Sequence, residues 1–154
     1  SEMDRSEISA IVEKAIDRFV EEQSALLDLD VTERALSHYL AIYLAALVPG
    51  TYDVDVEYNR HFGDPKRLWL PTRKALDREL RATTVFPDII VHQRIRDKNN
   101  LLVLEMKKPG EDLAYDNLKL QAFRKELGYI HTAHVILGRG NLGQVVREVK
   151  WLDG

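Results

Sequence analysis

Two uninterrupted apolar runs, Ile89-Ile90-Val91 and Leu101-Leu102-Val103-Leu104, flank a polar loop. A strand with one wet face alternates apolar and polar residues. Runs like these belong to strands covered on both faces, in the middle of a sheet. The pattern predicts strands at about 85–93 and 101–108, with Pro109-Gly110 closing the second.

Helical periodicity stands on both sides of this hairpin. Ile8, Ile11, Val12, Ala15, Ile16, Phe19 and Val20 predict an amphipathic helix from about 5 to 27, with acids on its wet face. Leu36, Tyr39, Leu40, Tyr43, Leu44 and Leu47 predict a second from about 32 to 47, ended by Pro49-Gly50. Leu113, Leu120, Phe123 and Leu127 mark a third from about 112 to 127, with Gly128 as its stop. Tyr52, Val54, Val56 and Tyr58 alternate with Asp53, Asp55 and Glu57, a half-buried strand. Residues 134–137 and 145–151 read as two more strands. Residues 59–83 are basic and irregular, with a short helix expected at about 72–81. These elements describe an α/β fold, a central mixed sheet of four to five strands flanked by helices, in one domain spanning 1–154. The helix at 5–27 is accessory to a core at about 30–137, and the strand at about 145–151 completes the chain.

The composition, 45% apolar and 31% charged, is that of an ordinary soluble globular protein. No window approaches a membrane span. The acidic, amphipathic start is unlike a signal peptide, so a cytoplasmic protein is expected. The absence of cysteine excludes disulfides and thiolate zinc sites. The net charge of −3 is unevenly spread: residues 1–57 carry 13 acids and 4 Lys/Arg, residues 58–154 carry 12 acids and 18 Lys/Arg. This is either a basic face for a polyanion on an acidic protein or two differently charged surfaces with no such partner.

Charged residues interrupt the hairpin at particular places. If its loop centres between Arg96 and Asp97, Asp88 lies opposite Glu105. Directly opposed residues have Cβ atoms about 4.5–5.5 Å apart, near enough for both carboxylates to hold one cation. Glu105 and Lys107, two apart, share a strand face. Opposed acids repel, and near an apolar centre that is expensive. A core selected for stability alone would not choose them, unless Lys107 bridges to one acid or the strand ends reach solvent. Magnesium takes oxygen ligands and keeps several waters, so two carboxylates suffice when phosphate supplies the rest. Such a cation polarises a phosphodiester and activates water, and Lys107 would steady the water or the developing charge.

Pro87-Asp88, a gap, and Glu105-Met106-Lys107 together resemble the signature of the PD-(D/E)xK, or restriction-endonuclease-like, nuclease superfamily. The predicted order of helix, three strands, helix and strand resembles the restriction-endonuclease-like core. The resemblance implies a Mg²⁺- or Mn²⁺-dependent nuclease that hydrolyses phosphodiester bonds, with DNA ahead of RNA as partner. A homodimer follows by analogy, because many such nucleases pair to cut both strands. It implies metal ligation by Asp88, Glu105 and the Met106 backbone carbonyl, and a catalytic role for Lys107 beside the attacking water. A further catalytic acid from the preceding helix would be Glu33. Asp30-Val31-Thr32-Glu33 also has capping-box spacing, in which Glu33 bonds the Asp30 backbone, and the two explanations stand side by side.

DNA-end-processing members carry Gln and then Tyr on the helix after the Lys. Here Gln121 is followed four residues later by Lys125, so that pattern is broken. Asp116, Lys119 and Gln121 are candidates for lining the cleft. Glu57-Tyr58-Asn59-Arg60 and His92-Gln93-Arg94 resemble small bacterial proteins with this nuclease-like core. Asn59, Arg60, Lys66, Arg67, His92 and Gln121 are the candidates for contacting nucleic acid, and His92 shares the alternation of Asp88. The basic insert 60–81 predicts salt-sensitive binding. The alternative is a module that keeps the fold and binds nucleic acid or a partner protein without cleaving.

Other motifs have plainer explanations. Gly138-Arg139-Gly140-Asn141-Leu142-Gly143 spells GxGxxG after a strand, but a dinucleotide site needs a helix next, and a strand is expected there. It reads as a glycine-rich turn. His131 and His134 sit at a strand start and are not expected to share a metal. Trp69 and Trp151 read as packing residues, with Trp69 inside the basic insert also open to stacking on bases.

Overall fold

A computed structural model describes residues 3–29, 31–57, 60–61, 64–65, 67–70, 81–84, 87–94 and 99–152, of which 60–61, 64–65, 67–70 and 81–84 are described by backbone alone. Helix α1 (Arg5–Gln23) starts at a capping box: Asp4 Oδ1 accepts the Glu7 N–H at 2.8 Å and Glu7 Oε1 accepts the Asp4 N–H at 3.3 Å. The helix expected at 5–27 is in fact two. Ser24, a poor helix former, is followed by the short α2 (Ala25–Asp28), where Leu27 N–H bonds back to the Ser24 carbonyl. Helix α3 (Glu33–Leu47) has Thr32 as its N-cap. Helix α4 (Ala114–Leu127) ends at Gly128, whose φ of 71° lets its N–H reach the Phe123 and Arg124 carbonyls.

The strands are β1 (Asp53–Val56), β2 (Arg60–His61), β3 (Asp64–Pro65), β4 (Arg67–Leu70), β5 (Arg81–Thr84), β6 (Ile89–His92), β7 (Leu102–Lys107), β8 (His131–Arg139) and β9 (Val145–Trp151). Five of them form a mixed sheet in the order β1-β6-β7-β8-β9, with β7 and β8 parallel and the other neighbours antiparallel. The basic insert is more regular than its sequence suggests, because β4 and β5 pair from Arg67↔Thr84 to Leu70↔Arg81. Most of the helix expected at 72–81 lies outside the described residues, and Arg81 itself belongs to β5. Strand β8 begins three residues before the expected start because its parallel pairing with β7 reaches back to Leu102↔His131.

The central hairpin is covered on both faces, as its apolar runs require. Ile89 pairs with Leu104, Ile90 with Val103 and Val91 with Leu102, and every residue of β6 and β7 is buried. Leu102, Leu104 and Met106 join Ile89, Val91, Ala133, Val135 and Leu137 in a core with α1 and α3. Ile90 and Val103 face the other way, onto Leu120, Phe123 and Tyr129. The result is a three-layer α/β arrangement, with α1 and α3 on one side of the sheet and α4 on the other. Among the described residues no helix is long and apolar enough to cross a membrane.

Candidate functional site

The site begins where the β6–β7 ladder stops. The observed register, continued by one pair beyond Ile89↔Leu104, sets Asp88 against Glu105. Pro87 comes next and has no N–H to donate, so it cannot extend the ladder. Asp88 fills the gap with its side chain, and Oδ2 accepts the Met106 N–H at 2.7 Å. On the other flank the Asp88 carbonyl accepts the Glu57 N–H at 3.2 Å. The N–H and C=O of one strand residue project to the same edge, so the Met106 carbonyl faces this open edge too.

Glu105 sits on the α4 face of β7 and is only 2% exposed. Burial pushes its carboxyl well above the ordinary range. The Lys119 ammonium opposes that rise, while the hydrogen-bonded carboxyl of Asp88 adds to it. Lys119 Nζ lies 2.8 Å from Glu105 Oε1. Lys107 turns instead to Asp116, with Glu111 behind at 3.7 Å. The pairing thus crosses from strand to helix. Residues two apart on β7 are about 6.6 Å apart, residues three apart on α4 rise about 4.5 Å, and the two rows meet as 105 with 119 and 107 with 116. Burial works against both ammonium groups, but their carboxylate partners outweigh it and raise both pKa values.

Glu33 joins from α3. The cap of that helix is Thr32, which makes Glu33 its first residue rather than the third-position glutamate of a capping box. Its side chain instead hydrogen bonds with Glu111. Burial first, then Glu111, push its pKa from 4.5 to about 7, with Lys107 pulling down and Asp88 pushing up. Its Oε2 is buried with no hydrogen-bond partner. The sheet end therefore gathers five carboxylates, Asp88, Glu105, Glu33, Glu111 and Asp116, around two ammonium groups, Lys107 and Lys119. Such a cluster holds protons or cations to offset its excess negative charge.

Two contributors were not legible in the sequence. Glu111 lies in the turn after β7 with nothing to mark it. His134 pairs laterally with Glu105 in the parallel ladder, and its Nε2–H donates to Asn117 Oδ1 at 2.7 Å. Burial lowers its pKa, and Nδ1 is buried without a hydrogen-bond partner. His131 has the opposite parity and faces α1: Arg5 Nε donates to its Nδ1 and its Nε2 reaches the Met3 carbonyl. The two histidines are not a metal pair.

Several sequence candidates are placed elsewhere. His92 does share the alternation of Asp88, but it lies at the far end of β6, about 13 Å along the strand. It is 2% exposed and its Nε2 meets Asp55 Oδ2 at 2.7 Å, so it has no surface to offer a phosphate. Gln121 is exposed and two residues from Lys119, which turns it away from the cleft-facing side of α4. Asn59 and Lys66 lie outside the described residues, and of Arg60 and Arg67 only the strand backbone is described. The GxGxxG segment is the expected turn: Gly140 N–H bonds to the Gln144 carbonyl, Gly143 N–H bonds to the Gly140 carbonyl, and β9 follows. Trp151 packs on the α1 core beneath the Arg5 guanidinium, 4.6 Å from its ring centre, whereas the side chain of Trp69 is not described.

Comparison with family models, curated proteins and solved structures returned no match for the chain. Among the described residues no group of three or more acidic or histidine side chains is arranged to hold a metal ion. The hydrogen-bonded pair Asp88 and Glu105 nevertheless fits a cation that takes one or two carboxylates and keeps its waters, as Mg²⁺ and Mn²⁺ do. It does not suit a fully caged ion.

Proposed function

We propose that the chain is a Mg²⁺- or Mn²⁺-dependent nuclease of the restriction-endonuclease-like kind, acting on nucleic acid with DNA ahead of RNA. One observation carries the reading: two carboxylates, one of them almost fully buried, meet at the end of the sheet where a proline stops the ladder. Bringing two acids together in a buried place costs stability unless a positive charge compensates them. Asp88 and Glu105 hold the cation, with the Met106 carbonyl directed to the same edge. When bound, a divalent cation supplies Lewis-acid polarisation of a phosphodiester. Lys107 steadies negative charge beside the site once it parts from Asp116, and Asp116 stores it until then. Glu33, with its pKa near 7, exchanges a proton close to neutral pH and would take one from water in this reading.

The test is cleavage of plasmid, single-stranded DNA and RNA with Mg²⁺ or Mn²⁺, alongside direct Mn²⁺ binding. Asp88→Ala and Glu105→Ala are expected to lose tight Mn²⁺ binding, and Lys107→Ala to lose cleavage while keeping the metal. Unchanged Mn²⁺ affinity in both acid variants would overturn the reading. The hold of Asp116 and Glu111 on Lys107 favours a second reading, a binding module of the same fold. It predicts no cleavage with any metal and nucleic-acid binding that survives Lys107→Ala.

A further inference from the structure

Lys119 has no role in the reading above, although it makes the closest contact to Glu105 of any cation in the site. Its ammonium is 2.8 Å from Glu105 Oε1, and the Glu105 side chain is 3% exposed and that of Lys119 13%. Asp88 and Asp116 also act on it electrostatically. A buried carboxylate pair needs a compensating charge, and in this state the protein supplies its own. A divalent cation held by Asp88 and Glu105 would take up the same carboxylate oxygens that Lys119 now meets. Two positive centres would then share one small, poorly solvated space and repel each other.

We propose that Lys119 is the internal counter-ion of the Asp88–Glu105 pair: divalent cation and Lys119 ammonium compete for these carboxylates, and the displaced ammonium turns to the phosphate of an incoming nucleic acid. The proposal rests on the metal-dependent reading above. It makes Lys119 a positioning residue that holds the Glu105 side chain at the sheet end until a cation arrives. The lysine stem is long and flexible, and its charge is compact, so a swing from carboxylate to phosphate needs no backbone change.

The experiment measures Mn²⁺ binding to the full chain by calorimetry for wild type, Lys119→Met, Lys119→Arg and Glu105→Ala. Methionine keeps most of the volume and removes the charge; arginine keeps the charge. Lys119→Met is expected to bind Mn²⁺ roughly tenfold tighter than wild type, Lys119→Arg to stay within about threefold of wild type, and Glu105→Ala to bind poorly. A second expectation is thermal: Lys119→Met melts earlier than wild type without metal and recovers more on adding Mn²⁺. Should Lys119→Met be unfolded without metal, refolding with Mn²⁺ followed by circular dichroism supports the proposal, and failure to refold at millimolar Mn²⁺ overturns it. Equal or weaker Mn²⁺ binding by folded Lys119→Met, with wild-type binding lost in Glu105→Ala, overturns this proposal and leaves the nuclease reading standing. No Mn²⁺ binding by any variant overturns both.

Discussion

Replacing Asp116 by Ala isolates the buried pair that holds Lys107. The side chains of Lys107 and Asp116 are 9% and 5% exposed, which puts them in the buried regime rather than the surface one. Removing one partner of a buried pair leaves an uncompensated charge and costs about 3–5 kcal/mol. Glu111 remains 3.7 Å from the ammonium and is itself over a third exposed, so it recovers part of that loss. Asp116 also lies in the first turn of α4, where a carboxylate adds about 0.3–1 kcal/mol through the helix dipole. The net expectation is a loss of about 3 kcal/mol in urea unfolding, or a fall in Tm of roughly 6–12 °C for a chain of this size. Lys107→Met combined with Asp116→Ala should be less destabilised than the two single variants predict together, by about 2 kcal/mol, because no orphan ammonium is left. A loss below about 1 kcal/mol for Asp116→Ala, or strict additivity in the double variant, would show that the pair is solvated and that Lys107 is not held as described.

Two further outcomes are expected. Glu33 holds its proton in the folded state up to about pH 7 and releases it in the unfolded state near 4.5. Its contribution to stability is therefore lost as pH rises from about 4.5 to 7, and Glu33→Gln should flatten that part of a melting-temperature profile; an unchanged slope would place Glu33 outside the cluster. Burial opposes ionisation of Asp55, but hydrogen bonds from His92 and Arg94 outweigh it and hold the pKa near 2, below the ordinary 3.8. Its contribution is present above 3.8 and fades as pH falls through 2. Asp55→Asn should thus lose about 1–3 kcal/mol at pH 7 and little in strong acid, as a pair of urea titrations would reveal.

Local pattern carried much of the architecture. Helical periodicity located α3 and α4 to within two residues at each end, and the strand expected at 145–151 is β9 (Val145–Trp151). The unbroken apolar runs placed β6 and β7 inside the sheet, and a loop centred between Arg96 and Asp97 corresponds to the register that the structure has. Where pattern failed, contacts between distant segments were the reason. His131 and Thr132 look polar and concealed the start of β8, yet both are buried, with the His131 ring hydrogen bonded. The basic residues of the insert hid the pairing of β4 with β5, because pairing is a long-range property of backbones.

The same division runs through the candidate site. That Asp88 and Glu105 would meet, with Lys107 on the same face as Glu105, followed from the sequence itself, since a hairpin brings near neighbours together by local geometry. The partners of these residues did not follow. Asp-x-x-Glu occurs at Asp4–Glu7 and at Asp30–Glu33, and only the first is a capping box, because α3 is capped by Thr32. Which lysine answers which acid depends on how α4 lies across β7, and that is settled by Ile90, Val103, Leu120 and Phe123 packing between sheet and helix. Hairpin geometry is encoded over a few residues of chain. The crossed pairing of Glu105 with Lys119 and Lys107 with Asp116 exists only once a buried apolar layer, assembled from distant segments, has fixed the distance between helix and strand.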